Sequence, residues 1–148
     1  MSMNTFIHKE YDTDFYAWTL HNATLLREGR LSEIDVDHLA EEIESMGQRE
    51  KRELLNRLAV LISHLLKWKH QPSRRSKSWE FTIKEQRLEL TDLLEESPSL
   101  ARILEAKLAA AYKKALLLTE KETGLESHHF PSTCAFSFAQ LLDQVFLP

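Results

Sequence analysis

The chain of 148 residues is 43% hydrophobic and 28% charged, with a net charge of −4. That composition excludes a disordered chain and a wholesale nucleic-acid coat protein. A single cysteine, Cys134, excludes an intramolecular disulfide and points to a reducing compartment.

No apolar run approaches the roughly 18–20 residues that a membrane span needs. Met1 to Glu10 lacks the basic-then-apolar order of a secretory leader, so the expected address is the cytoplasm, with no membrane partner. Three glycines and four prolines leave few places to turn. Few turns mean long elements, and the apolar spacing makes those elements helices.

The first predicted helix runs from about Thr13 to Glu28, capped by Asp12 or Thr13, with Asp14 favouring its N-terminus. Gly29 ends it, because glycine tolerates the left-handed conformation of a helix stop. The second covers Val36 to about His70, with Asp35 as its N-cap and Pro72 as its stop. Leu39, Ile43 and Met46 begin its apolar stripe; Leu54, Leu58, Leu61, Leu65 and Trp68 continue it. Unbroken, this helix is roughly 50 Å long, against a radius of gyration of about 15 Å for a compact domain of this size. It therefore kinks near Gly47 or shares its excess length with a second subunit. Leu55, Ile62 and Leu66 widen its apolar arc, which fits a central or a shared helix.

After the polar loop Pro72–Ser78, a third helix is expected from Trp79 to Glu95, with Ser76 or Ser78 as cap. Ser97-Pro98 restarts the chain as a fourth helix carrying Leu100, Leu104, Leu108, Ala111, Tyr112 and Ala115, ended by Gly124. An irregular stretch follows, and Ser137-Phe-Ala-Gln140 has capping-box form and opens a short last helix. The expected fold is all-α, an up-and-down bundle of about four long helices plus a short C-terminal helix, forming one domain over residues 1–148.

Catalytic signatures are sparse: there is no P-loop, GxGxxG, GxSxG, HExxH or CxxC. His128, His129 and Cys134 offer three ligand types in one loop, but a solvated loop with a buried thiol explains them better, and the expectation is no metal and no cofactor. Glu41, Glu42 and Glu44 spread around their helix and read as a solvated face.

At ~100° per residue, Glu42, Arg49, Glu53, Arg57 and His64 fall within about 80° of arc beside the leucines. Charges at such an edge are either paired for structure or tuned for function. Glu53, Arg57 and His64 are the catalytic candidates, with a salt-bridge ladder as the structural reading. Arg57 and His64 also match an Arg–six residues–His spacing that resembles helical-bundle ribonucleases of the higher-eukaryote-and-prokaryote nucleotide-binding superfamily. That resemblance implies acid–base work for His64 and phosphate binding for Arg57.

From Leu54 to Trp79 there is no acid but six bases: Arg57, Lys67, Lys69, Arg74, Arg75 and Lys77. Basic side chains neutralise phosphates, and exposed aromatics stack on bases. Arg74, Arg75 and Lys77 are the candidate anion-binding edge; the competing reading makes Trp68 and Trp79 core anchors flanking a solvated loop.

Seven segments occur in a familiar order: Tyr11-Asp-Thr-Asp-Phe-Tyr-Ala-Trp18, Leu39-Ala-Glu-Glu-Ile-Glu-Ser-Met-Gly47, His64-Leu-Leu-Lys-Trp68, Arg74-Arg-Ser-Lys-Ser-Trp79, Glu85-Gln-Arg87, Ser97-Pro-Ser-Leu100 and Phe146-Leu-Pro148. Over nearly its whole length the chain resembles the bacterial domain-of-unknown-function family number twenty-nine, abundant in cyanobacteria. A proline at position 135 and an acid near 145 are expected there, where Ala135 and Val145 stand. The resemblance implies a bacterial origin and the same helical fold, and it supplies no catalytic residues. Two classes of function stay open: a non-catalytic interaction module, with a homodimer, a protein or RNA as partner, and a metal-independent ribonuclease-like phosphodiester enzyme using Arg57 and His64.

Overall fold

Thirty-five residues without a proline, opened by Asp35 and closed before Pro72, form one continuous helix, α3 (Val36–His70). The chain is shown by a computed structural model that describes residues 3–148, with side chains from Thr5 onward. Met1 and Ser2, the first residues of the segment read as carrying no leader, lie outside the described residues.

The other helices are α1 (Met3–Thr13), α2 (Phe15–Arg27), α4 (Lys77–Glu96), α5 (Leu100–Ala106), α6 (Leu108–Thr123) and α7 (Phe138–Leu142). No strand occurs among the described residues; the fold is all-helical, with α2, α3, α4 and α6 as its long helices and α7 as a short last one. No helix is long and apolar enough to cross a membrane among the described residues.

The chain divides into two compact units, Met1–Arg49 and Glu50–Pro148. In the first, Ile7, Trp18 and Leu25 form a small core, with Tyr11, Ile34 and Leu39 against it. In the second, Leu54, Leu58, Leu61, Ile62, Leu65 and Leu66 of α3 are buried at the centre, against Ile83 and Leu90 of α4 and Leu104, Tyr112 and Ala115 of α5 and α6. The wide apolar arc of α3 is thus spent within the chain, as a central helix requires.

Local signals explain most boundaries. Asp14 caps α2 through Ala17 N–H, Ser76 caps α4 through Trp79 N–H, and Ser137 with Gln140 closes the capping box of α7. Gly29 and Gly124 stand at φ of 71° and 75°, the left-handed stops of α2 and α6.

Four expectations are corrected. α1 precedes the first predicted helix, because Ile7 and Tyr11, one turn apart, find the core of Trp18 and Leu25. Position Ser97 does not cap the restart; Pro98 and Ser99 form a turn, and α5 begins at Leu100. The fourth helix is two, broken at Lys107 (φ −102°, ψ 11°) with no glycine or proline to mark the break. Ile43 and Met46, predicted inward, are exposed.

Arg87 of α4 is 1% exposed. Its Nε donates to the Leu141 carbonyl at 2.9 Å and its Nη2 to the Gln140 carbonyl at 3.2 Å. These are end carbonyls of α7, and that of Gln140 also accepts the Asp143 N–H at 3.3 Å. Burial pushes the guanidinium pKa down, and Asp143 pulls it back only in part.

Candidate functional site

Because α3 runs unbroken through Gly47, all five residues of the predicted polar stripe lie on one helix. Each binds its own neighbours. Glu42 accepts the Tyr11 hydroxyl at 2.5 Å, and exposed Arg49 donates to the Ser45 carbonyl at 3.5 Å. Arg57 donates to Glu53 at 3.2 Å and to Gln86 Oε1 at 3.3 Å, with Glu89 at 3.9 Å.

The His64 Nδ1–H donates to the Val60 carbonyl at 2.9 Å, and its Nε2 lies 3.4 Å from the Lys67 ammonium, which pairs with Glu122. Burial pushes the His64 pKa down and the Lys67 cation adds to this; the Val60 carbonyl and Glu122 oppose it without offsetting it.

The basic loop separates into spent and free cations. Lys67 is buried and lies 4.9 Å from the centre of the Trp79 ring. Arg75 lies 5.0 Å from the centre of the Trp68 ring and donates from Nε to the Trp68 carbonyl at 2.8 Å. Each tryptophan therefore carries one of the chain's own cations on its ring. Arg74, ending a short 3-10 turn, and Lys77, opening α4, are exposed.

The densest polar constellation lies in the first unit. Asp35, 2% exposed, caps the start of α3, where His38 N–H approaches its Oδ1 at 3.5 Å. Its carboxylate also accepts Trp18 Nε1–H at 2.9 Å, His8 Nδ1 at 3.0 Å and His38 Nδ1 at 2.7 Å. Its backbone N–H donates to the buried Asn22 Oδ1 at 2.9 Å. The two imidazoles stack at 4.3 Å, and Tyr11 stacks on His38 at 3.8 Å.

Burial pushes the Asp35 carboxyl pKa up, but the hydrogen bonds from Trp18, His38 and His8 outweigh it and hold the value below the usual range. Ligand atoms of His8, Asp35 and His38 lie within 4.8 Å of one another, the one such group among the described residues. His128 and His129 are exposed, His128 beside Glu126, and the Cys134 thiol faces the Phe136 carbonyl.

The sequence reading found Asp35 as a cap and missed its partners. An Asp-x-x-His at a helix start places the imidazole over the cap, which is a usable signal for His38. His8 comes from α1, which the reading left without structure.

A second feature of this unit is apolar. Val36, Ala40, Ile43 and Gly47 follow the 4-3-4 spacing of a helix–helix seam, and all four are exposed. Ile43 is 65% exposed, and a Cβ placed on Gly47 would meet nothing within 4 Å. Asp37, Glu41 and Glu44 flank the seam with no lysine or arginine between them.

No curated protein and no solved structure matches the chain. The family model described as the domain of unknown function DUF29 matches residues 10–147. With all but its outermost residues covered, and six of the seven ordered motifs wholly inside that span, the chain belongs to the DUF29 family.

Proposed function

We propose that the protein is a non-catalytic interaction module of the bacterial cytoplasm that receives an amphipathic helix of a protein partner on the seam Val36–Ala40–Ile43–Gly47. The observation that carries this reading is the exposure of a seam-spaced apolar row, with small residues at alternate positions, on a helix that also packs Leu39 against a core. An alanine and a glycine in such a row let a second helix approach closely. The acidic flank of Asp37, Glu41 and Glu44 favours a partner with basic flanking residues, and disfavours a second copy in the same register. The internal partners of Arg57 and His64 support structural roles for both, rather than phosphodiester chemistry.

The test uses a defined probe, a synthetic amphipathic helix of leucine and lysine, titrated into the full chain. Binding that weakens with salt and at least tenfold in Ile43→Lys, but not in His64→Gln, supports the reading. Binding indifferent to Ile43→Lys overturns it. A dimer mass by light scattering that Ile43→Lys returns to the monomer replaces the foreign helix with a second copy of this chain.

A further inference from the structure

From the convergence of two imidazoles on one buried carboxylate, we infer that His8, Asp35 and His38 form a binding site for a divalent first-row transition cation such as Zn(II). The inference is independent of the seam on α3 and concerns the chemistry beneath it. Capping α3 uses one of the roughly four acceptor sites of the Asp35 carboxylate, and Trp18 takes a second. Two imidazoles from separate helices are surplus to that task. Both present Nδ1 to the same carboxylate, one to each oxygen, at 3.0 and 2.7 Å.

A cation held at about 2.0–2.1 Å from N and O ligands keeps those ligands about 3.3 Å apart in a tetrahedral site. The two N···O separations need to open by about 0.3 and 0.6 Å, and the three ligand atoms, all within 4.8 Å of one another, need to draw together around the ion. The two rings stack at 4.3 Å, side by side over the same carboxylate, and the neutral imidazole is the form that ligates a metal. When the ion enters, each imidazole keeps one proton, which relocates from Nδ1 to Nε2, and the site passes from one negative to one positive charge.

The ligands are held in place beforehand. Trp18 and Asn22 fix Asp35 through its carboxylate and its backbone, and Tyr11, itself bonded to Glu42, lies flat on the His38 ring at 7°. Such outer contacts orient ligands in metal sites and restrict their rotamers. His8, 53% exposed, gives the ion an entry path and leaves coordination positions for water or a donor from a partner. Two imidazoles and one carboxylate select imidazole-preferring ions over calcium and magnesium, which take all-oxygen shells.

The experiment is calorimetric titration of Zn(II) into the chelator-stripped full chain at neutral pH, repeated with Co(II) read by its visible absorption. The expected result is one ion per chain, with affinity at least tenfold weaker in His8→Ala and in His38→Ala, and unchanged in the double variant His128→Ala/His129→Ala. Circular dichroism checks that each variant is folded. His8→Ala decides if His38→Ala is not, because His8 stands at the surface. The inference is overturned if the wild type takes up no ion saturably, if His8→Ala binds as the wild type does, or if the double variant abolishes binding. A Co(II) spectrum that persists in His8→Ala overturns it equally.

Discussion

The Trp18 indole N–H donates to Asp35 Oδ2 at 2.9 Å, and both side chains are 2% exposed. One bond thereby ties the first turn of α2 to the cap of α3. A hydrogen bond to a buried charged acceptor contributes more than a neutral one, and a buried carboxylate deprived of a donor carries its desolvation cost. Trp18→Phe keeps an aromatic ring in the core and removes the donor. The expected loss is about 1–3 kcal/mol in urea unfolding followed by circular dichroism. Hydrogen exchange should place the loosening in residues 15–38. A variant as stable as the wild type would show that His8 and His38 alone satisfy the carboxylate.

Stability should depend on pH through His64. Its folded-state pKa is depressed, chiefly by burial. In the unfolded chain the imidazole titrates near 6.5. A depressed value means that the unfolded state binds the proton more readily, so the stabilising contribution is complete above about pH 6.5 and is lost as pH falls through the folded value. His70 is depressed as well, by burial and by Lys69, and acts in the same direction. His64→Gln should therefore flatten, without abolishing, the fall in stability below about pH 6.5, as read by urea midpoints across pH 5 to 8. A profile identical to the wild type's would remove the buried imidazole from the account.

The contrast between α3 and α1 shows what a sequence discloses physically. α3 is bounded by a cap and a proline and carries a long leucine period, so its ends and its buried face from Leu54 to Leu65 are legible. Its continuity through Gly47 is not, because a single glycine costs a helix only about 1 kcal/mol and decides nothing alone. α1 has neither a strong cap nor a long period; its few apolar side chains make sense only against Trp18 and Leu25. The His8–Asp35–His38 cluster was illegible for the same reason, since one of its members rides on α1. Arg87 presents another limit. A charged residue reads as surface by default, and its acceptors are carbonyls of Gln140 and Leu141, more than fifty positions away.

The basic loop offers the sharpest separation of structural from free charge. Arg75 donates to the Trp68 carbonyl, one of the last acceptors of α3, and stands over the ring of the same residue. The final turn of a helix leaves its carbonyls without partners, and a cation there also meets the negative end of the dipole. Arg75→Ala should therefore cost about 1 kcal/mol in urea unfolding, from one hydrogen bond and one exposed cation–π contact. Arg74 and Lys77 are exposed, and alanine at either should change stability by less than about 0.5 kcal/mol. An anion-binding edge makes the opposite demand. There the three cations act alike, each adding about one unit to the salt slope of RNA binding. Two measurements on the same three variants, urea midpoints and RNA binding across a salt series, thus divide the readings. Unequal stabilities with no salt-dependent binding assign Arg75 to the end of α3; equal stabilities with equal losses of slope assign all three to a phosphate-bearing partner.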